Sequence, residues 1–145
     1  MPPFPPQVFV GSHRPPPAAE LEAQVSDFVD WLNAEREEDS EATGLHPLEL
    51  AALAHYKFVY IHPFYDGNGR VSRLLMNLVL LQAGYPPVIV NVEDKHEYYQ
   101  RLQMANDGDV RPFIRYCEFL DVTHLYKRSC PSVRPSRVTL KMPKN

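Results

Sequence analysis

His62-Pro63-Phe64-Tyr65-Asp66-Gly67-Asn68-Gly69-Arg70, with Arg73 one turn further on, sets a base, a carboxylate, an amide between two glycines and two guanidinium groups in one short loop and helix start. A packed core has no use for that density of polar chemistry. Glycines at 67 and 69 let the backbone bend sharply and approach a ligand closely. The helix that follows opens with unpaired N–H groups at the positive end of its dipole, an arrangement that attracts anions. Arg70 and Arg73, three apart, share a side of that helix and can clamp neighbouring phosphates. Asp66 beside phosphates calls for a cation between them, and Mg²⁺ shared with phosphate oxygens is the natural choice. His62, four residues upstream, titrates near neutrality and suits proton transfer from a hydroxyl. The spacing is not that of a P-loop, because no GxxxxGK[ST] occurs.

The flanking residues are periodic. Leu21, Val25, Phe28 and Leu32 recur at helical spacing and predict a helix of about three turns. Leu45-His46-Pro47 opens a second helix through Ile61, with Leu48, Ala52, His55, Tyr56 and Val59 along one side. A third runs from Arg70 to Ala83, stopped by Gly84 and Pro86-Pro87, its apolar face being Val71, Leu74, Leu75, Leu78 and Val79. Arg70, Arg73 and Asn77 occupy the opposite side. Residues 87–91 form a brief extended link, and a fourth helix spans Lys95–Ala105. Asp109 caps a fifth, with Pro112 in its first turn and Phe113, Ile114, Cys117, Leu120 and His124 in register. The fold class is all-α.

The chain has 145 residues, 44% of them hydrophobic, and a net charge of −3, which suits one globular domain. No apolar run reaches the length of a membrane span, and no signal peptide opens the sequence. Residues 127–145 hold six of the fifteen Lys and Arg and no acid; residues 1–126 then carry nine basic against eighteen acidic groups, a balance of −9. That acidic body argues against nucleic acid as a partner. The organisation expected is a Pro-rich segment with an extended flap over 1–17, a catalytic core over 18–126 and a basic, disordered tail over 127–145. Cys117 lies on an apolar stripe and reads as an inert buried thiol. A zinc site from His46, His55 and His62 matches no ligand spacing, and His46 before Pro47 reads as a helix start.

The loop and helix start resemble the motif of the Fic family, HxFx(D/E)GNGRxxR, at every specified position. Resemblance to the branch found in the metazoan endoplasmic reticulum runs from Val10 to Leu120. It includes Asp27-Phe-Val-Asp-Trp-Leu-Asn33, Ala51-Ala-Leu-Ala-His-Tyr-Lys57, Leu74-Leu-Met-Asn77, Ala83-Gly-Tyr-Pro-Pro87 and Gly108-Asp-Val-Arg-Pro-Phe-Ile114. The resemblance implies a helical Fic fold with a short N-terminal β-hairpin flap, and transfer of AMP from ATP to a Ser, Thr or Tyr hydroxyl of a target protein. It implies His62 as general base, Asp66 as ligand of Mg²⁺ (or Mn²⁺), Gly67, Asn68 and Gly69 as the anion hole, and Arg70 and Arg73 on the β- and γ-phosphates. Tyr99 and Asn106 match adenosine contacts, and Val10 and His13 fall on the flap that positions the target. It also implies an endoplasmic-reticulum location, the lumenal chaperone BiP as target, and a homodimeric full-length protein.

Family members of this type carry an inhibitory helix, [S/T]xxxE[G/N], whose Glu pairs with the residue matching Arg73. Residues 1–61 contain no such motif. The chain is therefore expected to be a fragment of a longer protein, with Arg73 unrestrained, transfer uninhibited and AMP removal absent, and with apolar helix faces left uncovered by the missing core. Rival readings are an inactive nucleotide- or partner-binding isoform, another Fic transfer chemistry, and AMP removal by the full-length protein.

Overall fold

A computed structural model describes residues 13–36, 44–90 and 95–129, the stretch 121–129 by backbone alone. Five helices follow in order: α1 (Leu21–Arg36), α2 (Pro47–Ile61), α3 (Asn68–Gln82), α4 (Lys95–Asn106) and α5 (Arg111–Ser129). Among the described residues there is no strand, only a single bridge residue at His13. Val10, the rest of the expected flap, the acidic stretch 37–43 and residues 130–145 of the expected tail lie outside the described residues.

α2 is the hub, packing against each of the other four helices. Its start is fixed locally. The His46 ring accepts the Leu48 N–H through Nδ1 at 3.3 Å, the Glu49 carboxylate accepts the His46 N–H at 3.2 Å, and Pro47 takes the first helical position. Tyr85, beyond the end of α3, holds His46 Nε2 at 3.1 Å. The one-sided stripe expected for α2 is too narrow. Leu50, Ala51, Ala54, Phe58 and Ile61 are buried along with Ala52 and His55, whereas Leu48, Tyr56 and Val59 are only half-buried. A helix surrounded by neighbours buries more than one face, and its three buried alanines let backbones come close.

α1 is longer than expected, at 16 residues, and sets Leu21, Phe28 and Leu32 on α2, with the Phe28 and Phe58 rings 5.9 Å apart. α3 departs further from expectation. Its buried side is Asn68, Ser72, Met76, Val79 and Leu80, while Leu74, Leu78 and Leu81 are exposed at i, i+4, i+7. Asn77, expected beside the arginines, is instead a structural pin: its amide donates to the Val88 carbonyl at 3.1 Å and accepts the Val88 N–H at 2.8 Å. That pair fastens the extended link against α3 with Val88 buried.

α3 closes at Gly84, whose φ of 82° suits glycine, with bonds from Gly84 N to Leu81 O and from Tyr85 N to Leu80 O. The same bond pattern closes α4 at Gly108 and Asp109. Asp109 then accepts the Arg111 N–H at 3.2 Å, and the Val110 carbonyl accepts from Phe113 and Ile114 to open α5. Phe113, Tyr116, Cys117 and Leu120 of α5 complete the core. Burial pushes the Cys117 thiol up to about 12, so it stays protonated and unreactive.

Asn77→Ala strands both the N–H and the carbonyl of buried Val88 and is expected to cost about 2–3 kcal/mol. Urea denaturation of the two proteins measures it; a loss of a few tenths would show that the link does not depend on Asn77.

Candidate active site

The site begins where α2 ends. Its last carbonyls have no partners within the helix. His62 satisfies two of them: its backbone N–H donates to Phe58 at 3.1 Å, and its Nδ1 donates to Val59 at 3.3 Å. The Tyr60 carbonyl is taken by Nε2 of His13 at 2.8 Å, with the His13 and Tyr60 rings 4.4 Å apart. His13 thus ties the described start of the chain to the end of α2.

His62 is the C-cap in the left-handed region, at φ 53° and ψ 55°, a conformation that costs a non-glycine residue about 1–2 kcal/mol. It turns the chain directly into the loop. Because a carbonyl can only accept, the bond to Val59 puts the proton on Nδ1 and leaves the Nε2 lone pair available. Burial holds the His62 pKa below its usual 6.5; the Val59 bond works against that shift and His13 adds to it. A neutral imidazole with an unencumbered Nε2 is a competent base near pH 7.

The loop is shaped by Asn68. Its amide, buried, accepts the Phe64 N–H at 2.9 Å and donates to the Phe64 carbonyl at 2.6 Å, closing residues 64–68 like a staple. Asn68 therefore spends its side chain on the loop and offers a ligand its backbone N–H. Gly67 is the α3 N-cap at φ 87°, a conformation natural to glycine, and supplies no side-chain cap. Its carbonyl accepts from Arg70 and Val71, whereas the N–H groups of Asn68 and Gly69 precede any helical acceptor. Gly69 is not bent as expected, since it already lies within the first turn of α3. Its role is spatial: a Cβ there would sit 3.5 Å from Nη1 of Arg73.

Charge is arranged around those amides. Asp66 accepts the Gly67 N–H at 2.6 Å through one oxygen and pairs with Arg70 Nη2 at 3.0 Å through the other. Both side chains are largely exposed, so the pair is worth only about 0.3–0.5 kcal/mol and is readily exchanged for a ligand. Arg73 lies one turn along α3 with Nη1 of its guanidinium 3.5 Å from where a Cβ on Gly69 would sit. Tyr99 is exposed on α4 with its ring 5.1 Å from that of Tyr98, and Asn106 is half-buried at the end of the same helix. The three histidines weighed as zinc ligands occupy separate settings: His46 caps α2, His55 is fully buried and His62 ends α2. Among the described residues no cluster of metal-ligating side chains forms.

The sequence profile of the Fic/DOC family matches residues 5–80, the span that contains the whole loop. The chain belongs to the Fic/DOC family. Among curated proteins it is 57% identical over 110 residues to Protein adenylyltransferase Fic of Nematostella vectensis, covering 76% of this chain and 25% of that one. The protein of the same name from Culex quinquefasciatus is 54% identical, with 21% of its length covered. The chain thus spans about a quarter of the length of the curated relatives it matches. Of solved structures, Fic-1 (aa134 - 508) from C. elegans superposes with a TM-score of 0.73 at 42% identity, covering 88% of this chain and 36% of that one. A Fic domain containing signaling protein from Bacteroides thetaiotaomicron gives 0.74 at 33% identity, covering 89% and 55%. The helical Fic fold is established by these likenesses.

Of the buried polar residues, the sequence places His55 on the packed side of α2 without its partners and does not single out Ser72. Both lie in otherwise apolar helical stripes, and spacing within one helix says nothing of what faces it from another.

Asn68→Ala is expected to lower the unfolding free energy by about 1–3 kcal/mol and to speed amide exchange at Phe64. Asn68→Asp is expected to be worse, because a carboxylate oxygen would then face the Phe64 carbonyl. Hydrogen exchange with thermal denaturation checks both; unchanged exchange at Phe64 would refute the staple.

Proposed function

We propose that this chain carries the catalytic centre of a protein adenylyltransferase, moving AMP from ATP to a Ser, Thr or Tyr hydroxyl of a target protein. The observation that carries the reading is His62: a neutral imidazole, its Nδ1 proton committed to Val59 and its Nε2 lone pair open, at the head of an anion-binding loop. In this scheme Nε2 removes the hydroxyl proton as the oxygen attacks the α-phosphorus. The bond from that phosphorus to the bridging oxygen breaks, and pyrophosphate leaves with the electron pair. The N–H groups of Asn68 and Gly69, in a loop already fixed by Asn68, stabilise the charge growing on the α-phosphate, joined by that of Gly67 once Asp66 releases it.

Arg70 leaves its weak pair with Asp66 to grip the β- and γ-phosphates, and Arg73 supports the γ end. Asp66, exposed and relieved of Arg70, fits Mg²⁺ in the way that ion is usually held, by one carboxylate together with substrate phosphates and waters. Bound there, the ion neutralises charge on the departing phosphates. Tyr99 and Asn106 border the adenosine, while Val10 and His13 belong to the flap that aligns the target. Resemblance to the metazoan branch assigns, within this proposal, the endoplasmic reticulum as compartment, BiP as target and a homodimer as the full-length form.

Incubation with Mg²⁺ and ATP labelled on the α-phosphate is expected to label protein, whereas γ-labelled ATP does not, and His62→Ala is expected to lower labelling at least about a hundredfold. Label from the γ position, or labelling unchanged in His62→Ala, would overturn the reading. The base must be neutral and its pKa is lowered, so the rate is expected to hold as pH falls to 6.5 and to decline only below it. A pH–rate profile with its acid limb above 6.5 would contradict this.

A further inference from the structure

Tyrosines and Cys117 apart, the buried polar side chains among the described residues are His55, Asn68 and Ser72, and all three bear on one turn of chain. Asn68 closes the loop on Phe64. The other two bridge α2 and α3. Ser72 Oγ donates to the Gly69 carbonyl at 3.0 Å and lies 3.2 Å from Nε2 of His55. The same Nε2 is 3.0 Å from the Tyr98 hydroxyl of α4, and the Phe113 ring of α5 stands 5.1 Å from the imidazole.

The proton positions follow from the acceptors. A carbonyl can only accept, so the single proton of Ser72 points to Gly69. The Ser72 oxygen then faces His55 with lone pairs alone, and Nε2 must carry the imidazole proton. That proton lies between the Ser72 and Tyr98 oxygens, and both accept it. Burial lowers the His55 pKa to about 3, so the ring is neutral and its Nδ1 is bare. Nδ1 is the ring nitrogen without a partner, so the core strands a lone pair there and no N–H.

We propose that His55 and Ser72 are positioning residues, a cross-brace that holds the anion loop in fixed relation to the base. The inference rests on the reading of His62 as base and of the Asn68 and Gly69 amides as the anion hole. His62 ends α2 about two turns beyond His55, and those amides open α3 about one turn before Ser72. Inside α3 the Gly69 carbonyl has its ordinary helical partner in the Arg73 N–H, so the helix does not need the Ser72 bond. What that bond adds, with His55 behind it, is a link from the first turn of α3 across to α2. Attack on the α-phosphorus needs the hydroxyl oxygen held at His62 and the phosphate held at the amides to stay in line. Small misplacements of such a pair cost much in turnover and little in binding. Neither His55 nor Ser72 touches the nucleotide in this arrangement.

Ser72→Ala removes one oxygen. Nε2 keeps Tyr98 as an acceptor and Gly69 keeps its helical bond, so the melting temperature is expected to change by less than about 3 °C. In the nucleotide-free protein, long-range ¹H–¹⁵N correlation is expected to show the His55 proton on Nε2, and ¹⁵N relaxation is expected to show a Gly69 amide that is ordered in the parent and mobile in Ser72→Ala. With α-labelled ATP and Mg²⁺, Ser72→Ala is expected to lower the self-labelling rate at saturating ATP about tenfold and to move the half-saturating ATP concentration less than about twofold. His55→Gln, whose amide can donate in place of Nε2–H, is expected to label faster than His55→Leu. A His55 proton found on Nδ1, or a Gly69 equally ordered in parent and Ser72→Ala, overturns the brace whether or not the chain labels itself. A Ser72→Ala protein that labels as fast as the parent, or that loses ATP affinity in proportion to rate, overturns it also. His55→Leu labelling as fast as His55→Gln removes His55 from it. A parent that transfers no label, with the Nε2 proton and the Gly69 response as expected, instead overturns the transferase reading.

Discussion

The burial of α2 among the other four helices is the interaction on which the remaining structure depends. Ala51, Ala52 and Ala54 let its neighbours approach, and Phe58 and Ile61 fill the space toward its end. Full burial of side chains such as Phe58, Leu50 and Phe113 contributes about 1.5–3 kcal/mol each. The same burial fixes where α2 stops, and so where His62 stands. A base that must meet a substrate within a few tenths of an ångström is best carried at the end of an element that cannot move.

From that end the loop is built by economical local means. Two left-handed residues, His62 and Gly67, turn the chain out of α2 and into α3. Between them the Asn68 amide closes the bend on Phe64, so the polar groups of the loop are satisfied by one another. What remains unpaired is chemically useful: the Nε2 lone pair of His62 and the first N–H groups of α3. The exposed Asp66–Arg70 pair stores both charges at little energetic commitment. Arg73, one turn further along α3, lies against Gly69.

Much of this was legible from the residues. The order of the helices, the start of α2 at His46-Pro47, the stop of α3 at Gly84 and the buried Cys117 all follow from short-range signals whose physics is contained within a turn or two of chain. The identity of the loop was legible for the same reason, since its nine residues are contiguous. Less legible was the orientation of α3. Leu74 and Leu78 fit an apolar stripe as well as Met76 and Leu80 do, and only the position of α2 selects the second set. Asn77 and Asn68 likewise read as solvent- or ligand-facing polar groups; each is in fact bonded to a backbone segment several residues away.

Sequence by itself determined the family, the all-α class and the chemistry available to the loop, because helix periods, caps and a contiguous motif are local properties of the chain. Tertiary structure alone decided that the buried Nε2 of His55 would lie within 3.2 Å of Ser72, 17 residues away, and 3.0 Å of Tyr98, 43 residues away. Those contacts join three helices at distances along the chain that no periodicity encodes. They exist only because burial of α2 brings α3 and α4 against the same turn.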